Sequence, residues 1–468
     1  MPILESFMGR PPAFYYQHPL TFVRTQLLGF ETLRGFVEWL ATEISGAAAH
    51  PVKAWRWENY GVKPERPVQE VLARRLDVPF SHLTSRPWPD WLPIGDRIPV
   101  EAHWDLEGTL QVLDASVVSE VDRRGFLTLG AGATAGLAHR WAEAASPVWP
   151  RSVSAFSDIE WAENLEQRLP LLQDLEDRRG GAAVALLDAE LRSARLTLRL
   201  LQGERARRML LSGIATLARI TGWAHVDVGA FASAEKQFVR GLRAAHAVGD
   251  RSAGANLLKC ISLLLVEHGR TAEAAEVAEV AVRQTQSSEP RVRAMLLVRE
   301  ARTRALLGDG RSMRALVNEA GKLIDRADGE PAPTWALYFD DAEYRAQIAA
   351  CHLALGEARQ ADGLLGEALQ NQPAARARDA VTYGMWQAEA AVRQGEVERA
   401  CGLVGDLLPR MVASSSARNA GRLKAVRSLL AKEAKDALCV RELDERIRAS
   451  TVMNERPGLD ERGRSLVA

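Results

Sequence analysis

Cysteine is scarce. The 468 residues hold four, Cys260, Cys351, Cys401 and Cys439, far apart in sequence and without a CxxC pair. That spacing indicates neither a disulfide framework nor a zinc knuckle, and it fits a reducing compartment. No apolar run reaches the roughly 20 residues of a membrane span, and no charged start followed by an apolar core opens the chain. The expectation is a cytoplasmic protein with no membrane partner. Net charge is missing too: 60 basic residues face 60 acidic ones, which excludes a globally basic nucleic-acid coat and confines any DNA-binding surface to one region. P-loop, HExxH and GxSxG patterns are absent, and the nine histidines do not cluster with cysteine at metal-ligand spacing. No catalytic residue, metal or cofactor is therefore expected, and the chain does not read as an enzyme. Gly130 to Gly136 (GAGATAG) echoes a dinucleotide loop, but neither a strand before it nor a β-α-β unit accompanies it.

What is present is unevenly distributed. Nine of the 12 tryptophans lie between Trp39 and Trp161, and 14 of the 21 prolines lie at or before Pro150. From about Ser157 onward the chain is Ala, Leu, Arg and Glu at helical spacing, interrupted mainly by single glycines. The pattern predicts four regions: an N-terminal domain over 1–95, a connector over 96–156, an all-helical body over 157–454 and a frayed tail over 455–468. In the connector, Arg123-Arg124 followed by an apolar stretch to Ala138 resembles a twin-arginine export signal. More than 120 residues precede it, so the reading preferred over export is a hydrophobic helix that docks the front domain onto the body or onto a second subunit.

Within the body, Gly229, Gly269, Gly308, Gly356 and Gly395 recur at separations of 40, 39, 48 and 39 residues. Seven residues before each stands a small side chain: Gly222, Ser262, Ala301, Ala349 and Ala388. Five after each stand Ala234, Ala274, Met313, Ala361 and Ala400, and twelve after stand Gly241, Ala281, Ala320, Ala368 and Leu407. Small residues at fixed offsets on both sides of a turn let two antiparallel helices approach closely, and stacking such hairpins buries a continuous core. These positions resemble the tetratricopeptide repeat family from Arg205 to Arg410, the best unit being Leu217 to Ala245 with Gly222, Trp223, Gly229, Ala234 and Phe238. The period exceeds the family's usual one, and Glu300 and Arg304 occupy offsets that are usually apolar. Helical pairs at Ile159 to Gln202 and Arg418 to Ile447 read as caps. The resemblance implies an α-solenoid whose first helices line a concave groove, with Asn256, Lys259, Leu263 and Glu267 pointing inward to hold an effector or partner.

Between His18 and Pro93, short helical segments are punctuated by Gly and Pro. The segment Trp55-Arg56-Trp57-Glu58-Asn59-Tyr60-Gly61-Val62-Lys63-Pro64 is similar to the end of the recognition helix in XRE-type helix-turn-helix regulators, in the variety that actinobacterial proteins join to tetratricopeptide repeats. Val68 to Leu76 with Asp77-Val78-Pro79 matches that family's fourth helix and its exit. On the recognition helix Ala54, Trp57 and Gly61 share an inner face. Lys53, Arg56 and Asn59 become candidates for base edges or phosphates, and Trp55 faces outward to DNA, a partner or a neighbouring loop. Arg24, Arg34, Lys63 and Arg66 are candidates to hold the DNA backbone.

The resemblance implies an all-α transcriptional regulator that binds double-stranded DNA as a homodimer and controls developmental or secondary-metabolite genes. Its repeats would sense a small molecule, peptide or protein. The alternative is an adaptor that does not bind DNA and docks a protein partner on its repeats.

Overall fold

The computed structural model describes residues 19–24, 28–30, 32–44, 50–59, 62–76, 78, 80–85, 88–89, 91–92, 99–114, 129, 132–147, 149, 156–286, 288–327, 329–373, 376–414 and 416–450. Among these the secondary structure is entirely helical. Two units separate. The first comprises residues 1–169, 186–225 and 229–288, and the second comprises 170–185, 226–228 and 289–468.

The first unit begins with α1 (Pro19–Phe22), α2 (Leu33–Glu43), α3 (Pro51–Asn59), α4 (Arg66–Arg75) and α5 (His82–Ser85). Thr32 caps α2 by accepting the Gly35 amide, and Pro67 opens the first turn of α4, where a missing N–H costs nothing. One apolar cluster joins these helices: Leu20, Val23, Phe36, Val37, Leu40, Ala54, Trp57, Val68, Leu72, Leu83 and Trp91 are all buried, and Ala232 from the repeat body belongs to the same cluster. The connector supplies α6 (Leu106–Asp114) and α7 (Ala133–Glu143). The body follows with α8 (Phe156–Arg179), α9 (Val184–Leu200), α10 (Glu204–Asp227), α11 (Phe231–Val248), α12 (Arg251–Glu267) and α13 (Thr271–Arg283), α8 to α10 running across the division between the units.

The second unit is built from hairpins: α14 (Pro290–Leu306) with α15 (Gly310–Ile324), α16 (Asp341–Ala354) with α17 (Ala358–Asn371), α18 (Ala377–Arg393) with α19 (Val397–Ser414), and α20 (Ala417–Ala434) with α21 (Leu438–Ala449). First helices pack on first helices, α14 on α16 and α18 on α20. The long spacing between Gly308 and Gly356 is accounted for by an irregular stretch after α15 that contains a 3-10 turn at Thr334–Ala336.

The five periodic glycines all have positive φ, between 72° and 80°, a backbone region closed to most L side chains. All five set up the same turn, in which the next residue donates to a carbonyl five back: Ala230 to His225, Arg270 to Leu265, Asp309 to Arg304, Glu357 to His352 and Glu396 to Ala391, each at 2.9 Å. The small offset residues have a steric cause. A Cβ on Gly222 would lie 2.3 Å from the Phe238 ring, and one on Gly241 would lie 3.1 Å from the Ala215 carbonyl oxygen. Ser262 instead donates its hydroxyl to the Ala274 carbonyl. Met313, the one large residue at its offset, is fully buried with Ala301, Ala305 and Cys351. Glu300 and Arg304 fit by pairing with each other at 3.1 Å.

Candidate nucleic-acid interface and repeat faces

Helix α3 divides as its sequence periodicity requires: Ala54 and Trp57 are buried, whereas Val52, Lys53, Trp55 and Arg56 are exposed, Trp55 by 39 %. Asn59 is the last residue of the helix. Lys53 bonds Glu65 at 3.0 Å, which brings the start of α3 to the corner that carries exposed Lys63 and Arg66. A hydrogen bond to its own backbone, and then the one from Lys53, hold the Glu65 carboxyl below its ordinary range. Arg66 pairs with Glu70 one turn on, at 2.8 Å, and Arg34 is exposed on α2.

Arg24 departs from expectation. It is buried, with Nε and Nη2 on the Glu58 carboxylate at 2.6 and 3.1 Å and Nη1 on the Phe30 carbonyl at 2.6 Å. A guanidinium spent inside the fold is withdrawn from any DNA phosphate, and its task is to let Glu58 of α3 be buried as a charge. Sequence alone carried one clue, that Glu58 falls next to Trp57 on the inner side of α3.

The repeat stripe on α12 is also less open than expected. Asn256, Lys259 and Leu263 are buried and Glu267 is half-buried. Asn256 Oδ1 meets no donor among the described residues. The polar positions that sequence reasoning missed lie on α11, where Glu235, Lys236, Gln237, Arg240 and Arg243 are all buried. Arg240 donates to Gln237 at 3.1 Å, and Gln237 and His225 both reach Asp188. Burial, then the like charge of Arg195, pushes the Arg240 guanidinium down to about 10.

The connector explains much of the burial on α11. Helix α6 packs on α11 and α7 on α13. Arg243 donates to the carbonyls of His103 and Val100 at 2.9 and 2.7 Å while its guanidinium stacks 3.7 Å from the Trp104 ring centroid. Arg270 donates to the Leu129 carbonyl, and Glu235 accepts the Leu129 amide. At the N-terminus of α7, Glu273 accepts the amides of Thr134 and Ala135 at 3.1 and 3.2 Å. The start of α7 therefore faces a carboxylate of the same chain, the favourable sign for a helix N-terminus. Trp141 is fully buried and lies over Gly254, where a Cβ would come within 2.5 Å of its ring. Arg251 sits 5.3 Å from that ring centroid and donates to the Trp141 and Ala144 carbonyls. Trp149 donates to the Ala247 carbonyl at 3.0 Å with Arg208 5.7 Å from its ring centroid. Arg123 and Arg124 lie outside the described residues.

In the second unit the salient polar group is Arg378, half-buried against the buried carboxylates of Glu176 and Asp227 and bonded to the carbonyls of Glu176 and Asp177. Ser416 donates to Asp227 at 3.0 Å. Nearby, Tyr383 donates to Glu343, whose carboxyl is raised by burial, and the guanidiniums of Arg302 and Arg422 lie 4.9 and 5.4 Å from the Trp386 ring centroid. Among the described residues no group of three or more His, Cys, Asp or Glu could hold a metal, and no helix is long and apolar enough to cross a membrane.

No family model and no curated protein matches the chain. Among solved structures, the chain is similar to BtubC (BKLC) from P. vanneervenii at 16 % identity and a TM-score of 0.33, over 61 % of this chain and 97 % of that one. A likeness this distant carries no argument about function.

Proposed function

We propose that the chain is a DNA-binding transcriptional regulator, in which an XRE-like helix-turn-helix domain built on α2 to α4 reads DNA and tetratricopeptide-type hairpins sense an effector. The observation that carries this reading is α3, which buries Ala54 and Trp57 and turns Lys53, Trp55 and Arg56 outward. A helix that offers cationic hydrogen-bond donors from one face while its other face is fixed in a core is the form needed to enter a major groove. Lys53 and Arg56 are assigned to base edges or phosphates, Asn59 to the end of the same helix, and Arg34, Lys63 and Arg66 to the DNA backbone. A homodimer supplies two such helices, and an effector held by the repeats shifts the population of dimers whose helices are spaced for DNA.

The test is to incubate the full chain with sheared genomic DNA at two salt concentrations and to sequence the bound fragments. A recurrent motif that is lost in Lys53→Ala/Arg56→Ala with helicity unchanged supports the reading. Enrichment that survives both substitutions removes these residues from it. A second reading, an adaptor that docks a protein on its repeats and does not bind DNA, draws on the pairing of Lys53 with Glu65 and of Arg66 with Glu70, which lowers the positive charge available for counterion release. It predicts no enrichment over input at either salt.

A further inference from the structure

In the first unit the connector helices bury Val112, Leu113, Leu137 and Trp141 and pair His139 with Glu276 of α13, and the contact with the repeats carries in addition a run of main-chain contacts. The receiving helices supply charged groups, Arg243, Arg251, Arg270, Glu235 and Glu273, and the connector answers with backbone: carbonyls of Val100, His103, Leu129, Trp141 and Ala144, and amides of Leu129, Thr134 and Ala135. Three tryptophans, Trp104, Trp141 and Trp149, anchor it, each with an arginine of the repeats over its ring. Main-chain recognition plus a few aromatic anchors met by arginine is how proteins hold a foreign polypeptide segment. The indole N–H groups of Trp104 and Trp141 and the Arg243 Nε are buried without a partner among the described residues, so docking leaves polar groups unsatisfied, a cost that eases release. The socket is also shaped in advance: Gly254 leaves the space that the Trp141 ring fills.

This strip is not the stripe of Asn256, Lys259 and Leu263. At about 100° per residue, those three lie on the far side of α12 from Gly254.

We propose that the outer strip formed by α11, the start of α12 and α13 is a polypeptide-docking surface that the chain fills with its own connector, and that a partner protein presenting a short helix with a free N-terminus and a tryptophan two turns later displaces it. Glu273 takes the amides of the incoming helix, Gly254 and Arg251 take its tryptophan, and Arg270 and Arg243 take the carbonyls of the flanking extended chain. The connector is then an internal competitor whose release frees α6 and α7 from the repeats. This deepens the regulator reading by naming a polypeptide as effector, and it rests on that reading only for its consequence at DNA.

The probe is a fluorescent peptide of residues 129–149, added to the full chain and followed by polarisation in the absence of DNA. Because the tethered connector competes at high effective concentration, wild type is expected to bind weakly and Trp141→Ala about tenfold or more tighter, since the variant loses its own anchor and keeps the receiving strip. Adding Glu273→Ala to that variant should abolish most of the gain. Equal binding by wild type and a natively helical Trp141→Ala chain, or a gain that survives Glu273→Ala, overturns the proposal. Should Trp141→Ala fail to fold, amide exchange of wild type decides: amides of α7 at least tenfold less protected than those of α12 support a releasable connector, and equal protection refutes it. Neither readout involves DNA, so failure of the regulator reading leaves the result interpretable.

Discussion

Replacing Arg24 with alanine separates a fold-holding arginine from one proposed to read DNA. The Arg24 and Glu58 side chains are 8 % and 4 % exposed, and the pair lies at 2.6 Å. Deleting the guanidinium strands the Glu58 carboxylate in the interior, where breaking a buried pair costs about 3 to 5 kcal/mol. A domain the size of residues 19–92 has a stability of roughly 4 to 11 kcal/mol, so the loss is a large fraction of the total. Amide exchange over α2 to α4 should accelerate by about a hundredfold or more, with exchange in α14 to α19 unchanged. The double variant Arg24→Met/Glu58→Leu should recover much of the loss, because it leaves no unpaired charge. Arg56→Ala should behave oppositely: being exposed, it should change stability by no more than about 0.5 kcal/mol while weakening DNA binding and reducing its salt slope by about one. An Arg24→Ala chain that keeps wild-type exchange yet loses DNA affinity as Arg56→Ala does would refute the assignment.

The remaining expectations concern the repeats. Burial pushes the imidazole of His268, hydrogen-bonded at Nδ1 to the Leu264 carbonyl, down to about 4. The unfolded chain therefore takes up this proton below pH 6.5 while the folded chain resists until about 4. Stability from this site is whole above 6.5 and falls by about 3 kcal/mol by pH 4, and His268→Gln should remove that share of the pH dependence of urea midpoints, leaving the slopes of His246, shifted in the same direction, and of carboxylates held low such as Glu65. Gly222→Val should cost about 1 to 3 kcal/mol by overpacking against Phe238, read as a lowered thermal midpoint; no change would mean that the hairpin adjusts freely. Arg378→Ala should cost about 3 to 5 kcal/mol in the second unit by stranding Glu176 and Asp227, and wild-type exchange at α18 would refute the pairing.

The hairpin body was legible because its cause is local and repeated. A glycine with positive φ must end each first helix, and a small residue seven positions earlier must admit the partner helix, so the sequence bears the mark at fixed offsets. Met313 and the Glu300–Arg304 pair show how that mark blurs: a buried position accepts a large or charged residue when a neighbour completes the packing or the charge. On α3 the 3.6-residue period correctly separated Ala54 and Trp57 from Lys53 and Arg56. What sequence could not supply was pairing across distance. Nothing near Arg24 announces Glu58, 34 residues on, and nothing near Arg243 announces the carbonyls of Val100 and His103, more than 130 residues earlier. On α12 the helical period puts Asn256, Lys259, Leu263 and Glu267 together, but whether their face is open depends on contacts that helical period does not encode.

The arginines that point into the fold divide by the partner that neutralises them, and the division carries meaning. Arg24 and Arg378 end on carboxylates, Glu58 in one case and Glu176 with Asp227 in the other. Such pairs fix one geometry and penalise any other, because opening them removes the opposite charge from a buried carboxylate. Arg243 and Arg251 end instead on main-chain carbonyls and indole faces. Every polypeptide offers carbonyls, so these contacts do not depend on the sequence that supplies them, and selectivity falls to the aromatic anchor and to the bare helix N-terminus facing Glu273. A chain that only needed to hold its connector permanently could have used the carboxylate solution, as it does at Arg24 and Arg378. Its use of carbonyl-reading arginines along α11 and the start of α12 is what distinguishes a surface made to exchange one segment for another from a surface made to lock.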